Sequence, residues 1–421
     1  MMSFMRTVLV LFVAVFVFAQ CESSVTGPDD PIGELPRDLT ASEKMLIEAD
    51  QSFSYDIFQR TVAYDSEQDN LMISPLSISM ALAMTLNGAE DQTYKDMKKA
   101  LYLSGMEKEE INEAFQSLIE LLINADPNVA MKIANSIWYR DGLPVKEDFK
   151  ERVKEYFGAE VTALDFSDPA AVDIINQWVS DNTEELIPEI IDEIPSHIVM
   201  YLINALYFKG DWLNQFDPDD TQAGDFHLES GETVQAEMMR QENQFATMFS
   251  DEVQMIELPY GDSLFSMSIL MPADANTPIN QFIDEKITAS NINNWRSSLS
   301  VPNRDVILRM PKFEFDYELE YTDILKAMGM EIAFDEWEAD FTGIADVSPQ
   351  NLFIDEVKHK TFISVDEEGT EAAAVTSVGV GITSMPPQMI IDRPFVFIIH
   401  ERESGANLFM GKVKNPADSS R

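Results

Sequence analysis

Apolar residues recur every three to four positions through the amino-terminal half of the chain, a period that is typical of amphipathic helices. The first such helix is marked by four residues at this spacing, Met45, Ala49, Phe53 and Ile57. Ser74 and Pro75 then supply a helix cap and a first-turn proline, and the apolar run after them stops at Asn87 and Gly88. The same pattern predicts further helices over residues 91–101, 108–123, 146–157 and 170–183.

Strand signals dominate the carboxyl-terminal half of the chain. Residues 198–208 form a nearly continuous apolar run, as expected for a strand that is covered on both faces. Shorter strands are predicted over residues 264–271, 306–315, 353–365, 395–400 and 408–413. Helices gathered early and strands gathered late indicate the α+β fold class. No second linker or repeat interrupts residues 41–421, which are therefore predicted to form a single domain.

Composition and charge exclude several classes of function. Among 421 residues, 29 are Lys or Arg and 74 are Asp or Glu, which gives a formal net charge of −45. Such a chain lacks the clustered cationic surface that nucleic-acid binding requires. The four histidines are scattered and the one cysteine is Cys21, so neither a metal site nor a cofactor is expected. Enzymatic activity is not expected either, because no GxSxG, HExxH or nucleotide-binding loop is present.

The amino terminus carries the pattern of an export signal. Arg6 precedes an unbroken apolar run over residues 8–19, which is too short to span a bilayer comfortably. Residues 1–20 are therefore predicted to be a signal peptide of a secreted or cell-surface protein. Residues 21–40 are predicted to be a flexible linker, since they are polar and rich in Gly and Pro. Two processing routes remain open: ordinary signal-peptidase cleavage, for which Val17 and Ala19 stand at the small-residue positions, or lipid attachment at Cys21.

Residues 367–392 carry the signals of both a strand and a loop. One set of alternate residues is small at first and then branched and apolar: Thr370, Ala372, Ala374, Thr376, Val378, Val380 and Ile382. This period of two indicates a half-buried strand. Gly379, Gly381 and the Pro386-Pro387 pair favour a solvent-reaching loop instead. An edge strand, a glycine-rich hairpin and a segment that changes between loop and strand all remain open on these residues alone.

A set of longer motifs surrounds this segment. They occupy residues 70–78 (NLMISPLSI), 204–212 (NALYFKGDW), 311–313 (PKF), 365–374 (VDEEGTEAAA), 393–395 (RPF) and 409–416 (FMGKVKNP). In this order they resemble the serpin family of protease inhibitors over nearly all of the chain from about residue 41 to residue 416. The resemblance implies helices packed around a large central mixed β-sheet, smaller additional sheets and an exposed reactive-centre loop. It also implies suicide inhibition, in which the cleaved loop inserts into the central sheet while the protease stays covalently attached.

The same resemblance assigns roles within residues 367–385. It implies a hinge made of Glu367, Gly369, Thr370, Ala372, Ala373, Ala374 and Thr376. Alignment from both ends of the loop places the reactive bond between Thr383 and Ser384, with Ile382 as a rival acyl-side residue. The residues implied to contact the protease around this bond are Val380, Gly381, Ile382 and Met385. Because Thr383 is small and uncharged and no Arg or Lys lies between residues 370 and 385, elastase-like or subtilisin-like serine proteases are the expected partners.

A second set of residues matches family positions beneath the loop. The resemblance implies that the central strands part at a polar cluster of Ser74, Ser77, Asn204 and His359, with Trp212 near the point of insertion. Asn204 lies within an apolar run, so it needs a hydrogen-bond partner if it is buried, and the cluster is expected to supply one. A monomer without a cofactor is expected. Two alternatives remain: a non-inhibitory binding or carrier protein of the same fold, and inhibition of cysteine proteases.

Overall fold

A computed structural model describes residues 33–349, 351–370 and 387–418 of the protein. Its helices begin close to the predicted positions because their caps are local. Ser74 precedes the second helix and its side chain accepts a hydrogen bond from the Ser77 backbone, as expected for a helix cap. The helices are α1 (Ala41–Tyr64), α2 (Pro75–Leu86), α3 (Asp91–Ala100), α4 (Lys108–Ile123), α5 (Glu147–Phe157), α6 (Ala170–Asn182), α7 (Ile279–Lys286), α8 (Ala289–Ser298) and α9 (Thr322–Leu325).

Strands occupy more of the chain than the sequence pattern predicted. They are β1 (Asn70–Ile73), β2 (Val129–Arg140), β3 (Glu160–Leu164), β4 (Met200–Asp211), β5 (Gln222–His227), β6 (Thr233–Asn243), β7 (Ala246–Phe249), β8 (Val253–Tyr260), β9 (Phe265–Pro272), β10 (Val306–Pro311), β11 (Phe313–Glu320), β12 (Lys358–Val365), β13 (Gly369–Thr370), β14 (Gln388–Ile390), β15 (Phe395–Glu401) and β16 (Asn407–Val413). The predicted strand over residues 306–315 is two strands, because the chain changes partner from β6 to β12 on either side of Lys312.

The strands form sheets of different size. The largest is six-stranded and antiparallel, in the order β1-β16-β15-β9-β8-β7. A four-stranded sheet has the order β14-β10-β6-β5. A second four-stranded sheet, β13-β4-β2-β3, is mixed, since β2 and β3 are parallel. The strands β11 and β12 pair only with each other within the described residues. The predicted α+β fold, with helices around a large sheet and smaller sheets, is confirmed.

The amino-terminal end of the described chain lies against this fold. Leu35, within the predicted linker over residues 21–40, is buried, and its backbone N–H donates to Glu403. Arg37 forms an ion pair with Glu43 in α1. The last part of the predicted linker, from residue 33, therefore contacts the domain. Within the described residues, no helix combines the length and the apolar character that crossing a bilayer would need.

One buried carboxylate makes stability depend on pH. Asp50 in α1 is 4 % exposed and accepts a 2.6 Å hydrogen bond from the Ser79 hydroxyl in α2. Its second carboxylate oxygen has no hydrogen-bond partner in the part of the chain that the structure describes. Burial raises the pKa of Asp50 to about 6, although the Ser79 hydrogen bond opposes the shift. The folded protein therefore holds this proton more tightly than the unfolded chain. The contribution of Asp50 to stability is largest below about pH 4 and is lost as the pH rises through 6.

Asp50→Asn is expected to stabilise the protein at pH 7.5, because the uncharged amide keeps an acceptor for Ser79 without burying a charge. The shift in pKa corresponds to a gain of about 2–3 kcal/mol in the free energy of unfolding. The measurement is the difference between variant and wild-type stability at pH 4 and pH 7.5. The gain is expected at pH 7.5 alone, and an equal gain at both pH values would contradict the assignment of a buried charge.

Candidate functional site

Within the described residues, the strand β4 has one edge that is open along most of its length. One edge of β4 pairs with β2 from Met200 to Gly210. Among the residues that the structure describes, the other edge pairs only with β13, at the last two residues of β4, Gly210 and Asp211. Across from this edge lies β12, whose strand partner on its far side is β11. A cavity of about 640 Å³ lies between β4 and β12 and is also lined by α2 and the segment over residues 341–357.

The chain enters this gap through β13, at the end where β12 finishes. Thr370 lies opposite Gly210, and its hydroxyl is 3.0 Å from the hydroxyl of the fully buried Tyr260. Gly369 lies opposite Asp211 with φ at +153°, and a Cβ there would lie 2.3 Å from the carbonyl oxygen of Gly210. Only glycine allows the two backbones to approach this closely. Gly369 and Thr370, two residues of the predicted hinge, are therefore already paired with the open edge of β4.

The turn between β12 and β13 is held by Trp212. The indole N–H of Trp212 donates to the carbonyl oxygen of Asp366 at 3.0 Å, and its backbone N–H donates to that of Glu368 at 2.8 Å. The indole also stacks on Tyr260, with 4.4 Å between ring centroids. Trp212 thus lies at the point where the chain enters the gap.

Glu367 ties the same turn to two further parts of the molecule. Its carboxylate lies 2.8 Å from the Lys312 ammonium, between β10 and β11, and accepts a 2.7 Å hydrogen bond from the Thr221 hydroxyl. Its carbonyl oxygen accepts from the Phe216 backbone N–H. Burial acts to raise the pKa of Glu367, but the Lys312 and Thr221 hydrogen bonds outweigh it and hold the pKa below its ordinary value. The carboxylate is therefore charged and fixed at neutral pH.

Three members of the predicted polar cluster meet at the start of α2. Nε2 of His359, on β12, accepts a 2.9 Å hydrogen bond from the Ser74 backbone N–H. The Ser74 side chain in turn accepts from the Ser77 backbone N–H at 3.2 Å. Burial lowers the pKa of His359 to about 3, so the ring is neutral at physiological pH. The neutral ring supplies the acceptor for an N–H that the helix itself leaves unpaired.

Asn204 is not part of this hydrogen-bonded group, and the expectation that the cluster would supply its partner is wrong. Its amide group on β4 donates to Asn135 on the neighbouring strand β2 at 2.8 Å. Its Oδ1 atom is buried and has no hydrogen-bond partner among the described residues. Because β4 pairs with β2 and not with β12, Asn204 lies on the opposite wall of the cavity from His359.

The remaining predicted site residues lie outside the described part of the chain. They are Ala372, Ala373, Ala374, Thr376, Val380, Gly381, Ile382, Thr383, Ser384 and Met385.

The structure also shows three contacts of the site residues that the sequence did not predict. Tyr260 contacts Thr370, Lys312 contacts Glu367 and Asn135 contacts Asn204. Lys312 stands within the quoted Pro-Lys-Phe motif, but nothing local indicates its partner 55 residues later. No group of three or more His, Cys, Asp or Glu in the described residues is arranged to hold a metal ion.

Comparison with known proteins shows which family this chain resembles over most of its length. The family model described as "Serpin (serine protease inhibitor)" matches residues 48–416. Human neuroserpin is 33 % identical over 88 % of this chain and 91 % of its own length. A serpin-like protein of Thermococcus kodakarensis is 31 % identical over 98 % of this chain and 99 % of its own length.

Solved structures share the fold. Native tengpin, a thermophilic serpin, matches with a TM-score of 0.81 at 30 % identity and covers 90 % of this chain and 95 % of its own. A thyroxine-binding globulin in complex with thyroxine matches with a TM-score of 0.79 at 27 % identity, over 89 % of this chain and 100 % of its own. The matched motifs, the family model and these structures together place the chain in the serpin family.

Proposed function

We propose that this protein inhibits serine proteases by suicide cleavage: a protease cuts the segment that follows Thr370, and this segment then inserts between β4 and β12. The observation that carries the proposal is β13, which begins an antiparallel pairing on the open edge of β4 at Gly369 and Thr370. An unpaired strand edge is a template for a further strand. Insertion would extend a ladder that has already begun.

The pairing at β13 sets the register of the added strand. With Thr370 opposite Gly210, each step of two residues further along the segment moves two residues back along β4. Ala372 would then lie opposite Phe208, Ala374 opposite Leu206 and Thr376 opposite Asn204. The side chains on this face are small, so they suit a tightly packed space. A hydroxyl at residue 376 would also supply the donor that Asn204 Oδ1 lacks.

The free energy of loop insertion and the distance that it moves an attached protease both favour covalent trapping of that protease. About ten new backbone hydrogen bonds at roughly 1 kcal/mol each stabilise the inserted form by on the order of 10 kcal/mol. This gain is comparable with the stability of a whole domain. Insertion from Thr370 to Thr383 moves an attached protease some 40 Å at about 3.3 Å per residue. Misplacing catalytic groups by about 1 Å can cost a hundredfold in rate, so the acyl-enzyme would not be hydrolysed in time.

The target class follows from residues outside the described part of the chain. We keep Thr383–Ser384 as the reactive bond, with Ile382 as the rival acyl-side residue. Elastase-like or subtilisin-like proteases are the proposed partners because the segment lacks a basic residue.

The proposed location is extracellular or at the cell surface, after removal of residues 1–20. Incorporation of radiolabelled lipid that is lost in Cys21→Ala would establish lipid anchoring, and no incorporation would establish simple secretion.

The decisive experiment incubates the protein with pancreatic elastase and with subtilisin. A denaturant-resistant adduct is expected, together with a released carboxyl-terminal peptide that begins at Ser384. Protein cleaved in the loop is expected to unfold at a much higher temperature than the intact protein. If neither protease gives an adduct and cleavage leaves thermal stability unchanged, the proposed inhibition is wrong. An adduct with papain and none with the serine proteases would establish the cysteine-protease alternative instead.

Thr376→Val tests the register independently of the target. The substitution keeps the shape of the side chain but removes the donor for Asn204 Oδ1. We expect the loop-cleaved variant to lose about 1–2 kcal/mol of stability, the cost of one unmade buried hydrogen bond, and the intact variant to keep its stability. Thr376→Ser, which retains the hydroxyl, is the matched control. An equal loss in Val and Ser variants would show that the hydroxyl makes no such bond.

One observation favours a second candidate, a binding or carrier protein. Among the structures that share this fold is a thyroxine-binding globulin in complex with thyroxine, so the fold is compatible with binding a small molecule. A carrier does not need loop insertion, and cleavage of its loop without a gain in stability would distinguish it from an inhibitor. The small residues on the inserting face favour inhibition, because no proline or charge occupies that face between residues 370 and 376.

A further inference from the structure

The cavity between β4 and β12 has the properties of a small-molecule site. Its volume of about 640 Å³ lies within the range of roughly 300–1,000 Å³ that is typical of ligand pockets. Aliphatic and aromatic side chains supply much of its lining, among them Ile187, Ile198, Met200 and Phe353. Apolar walls favour an apolar occupant over water, because water needs polar partners on several sides.

Polar side chains also line the cavity, and two buried polar atoms among them have no hydrogen-bond partner in the described structure. They are Oδ1 of Asn204 and the hydroxyl of Tyr201, whose residue is 9 % exposed. Both residues line the cavity from β4. They are three positions apart, so about 10 Å separates them along the strand, and they point to opposite faces. Leaving such groups unpaired costs about 1–3 kcal/mol each, which a ligand with matching groups would recover.

The electrostatic surroundings favour a ligand without charge. Asn204 Oδ1 and the Tyr201 hydroxyl are uncharged, and burial, with the nearby acids Glu356, Asp355 and Glu193, raises the pKa of Tyr201. Two of these acids already have a partner: Asp355 lies 3.1 Å from Nε2 of His197, and Glu356 lies 3.7 Å from the Lys358 ammonium. A charged ligand group would have to leave water for apolar walls without gaining a dedicated partner at either buried atom.

We propose that this cavity binds an uncharged, elongated and mainly apolar small molecule that carries a hydrogen-bond donor for Asn204 Oδ1. The ligand occupies the path of the inserting strand, since both use the space between β4 and β12. This second statement rests on the proposed inhibition by loop insertion. Bound ligand and inserted loop therefore exclude each other, and the ligand slows the trapping of a protease without blocking cleavage.

The first test uses N-phenyl-1-naphthylamine, a neutral fluorescent probe with one N–H donor, titrated into the full-length intact protein. Saturable binding of one probe per chain is expected. Leu202→Trp on β4 and Ala81→Met on α2 reduce the cavity from two different walls, and each is expected to weaken binding at least tenfold. The absence of saturable binding, or unchanged binding in both variants, would overturn the inference.

Asn204→Leu tests the polar contact, and we expect it to weaken probe binding three- to tenfold because the probe N–H loses its acceptor. Tyr55→Phe is the matched control, since Tyr55 does not line this cavity and its buried hydroxyl also has no partner among the residues described. Its binding is expected to equal that of the wild type. Equal losses in the two variants would show that the Asn204 contact is not specific.

Protein cleaved in the loop separates the ligand site from the proposed function. If both are correct, cleavage raises the unfolding temperature and abolishes probe binding. Raised stability with no probe binding to the intact protein contradicts only the ligand site. Probe binding that survives cleavage, with no gain in stability, contradicts loop insertion and leaves the cavity as a binding site.

Discussion

Thr370→Arg is expected to convert the protein from an inhibitor into a substrate of its target protease. Thr370 is 9 % exposed, lies opposite Gly210 and contacts the hydroxyl of the buried Tyr260. A guanidinium at this position would have to enter a packed space without an acidic partner, which costs several kcal/mol. Because Thr370 is already paired with β4 in the uncut protein, we expect Arg to displace β13 from that edge, so that insertion has to begin by burying the guanidinium before later hydrogen bonds can offset the cost. Insertion then becomes slower than hydrolysis of the acyl-enzyme.

The measurement is the number of inhibitor molecules consumed per protease trapped. We expect this number to rise at least tenfold in Thr370→Arg, while the rate of cleavage in the loop stays within twofold of the wild type. Thr370→Ser keeps the small hydroxyl side chain and is expected to trap protease normally. If Thr370→Arg traps protease with the stoichiometry of the wild type, the hinge does not begin at β13.

The helices could be predicted from the sequence because their signals are local. The Ser74-Pro75 start of α2 and the period of α4 and α6 are contained in a few neighbouring residues. The strand β2 was missed because its exposed and buried residues do not alternate regularly. Residues 353–357 were predicted as part of a strand but form none, since β12 begins at Lys358, where pairing with Glu320 starts. Strand bounds depend on partners that are distant in sequence.

The features of the candidate site also fall into those with local sequence signals and those that depend on residues distant in sequence. The Ser74 cap and the small residues of the hinge are local features, and the family resemblance added His359 and Trp212. The partner of Asn204 could not be predicted, because Asn135 reaches it only through the pairing of β2 with β4. The contact between the Tyr260 and Thr370 hydroxyls could not be predicted either, because it depends on where β8 ends. The contacts of these residues therefore depend on tertiary pairing, which local sequence patterns do not reveal.

Glu367→Lys is expected to lower both the stability and the lasting inhibitory activity of the protein. The substitution would place two ammonium groups where Glu367 and Lys312 now lie 2.8 Å apart, and it would remove the acceptor of the Thr221 hydroxyl. Breaking a buried ion pair costs about 3–5 kcal/mol, but Lys312 is one-third exposed, so a loss of about 2 kcal/mol is expected. The turn at the entrance of the gap is then released. An uncut loop that enters the gap early no longer presents its reactive bond.

The measurement is inhibitory activity after incubation at 37 °C, together with the unfolding temperature. Glu367→Lys is expected to lose activity at least fivefold faster than the wild type and to unfold a few degrees lower. Glu367→Gln keeps an acceptor for Thr221. Its rate of activity loss and its unfolding temperature are expected to lie between those of Glu367→Lys and the wild type. The exchange variant Glu367→Lys with Lys312→Glu restores opposite charges at the same two positions and is expected to recover most of the lifetime. Its failure to do so, with Glu367→Gln behaving as the wild type, would show that the ion pair does not hold the turn.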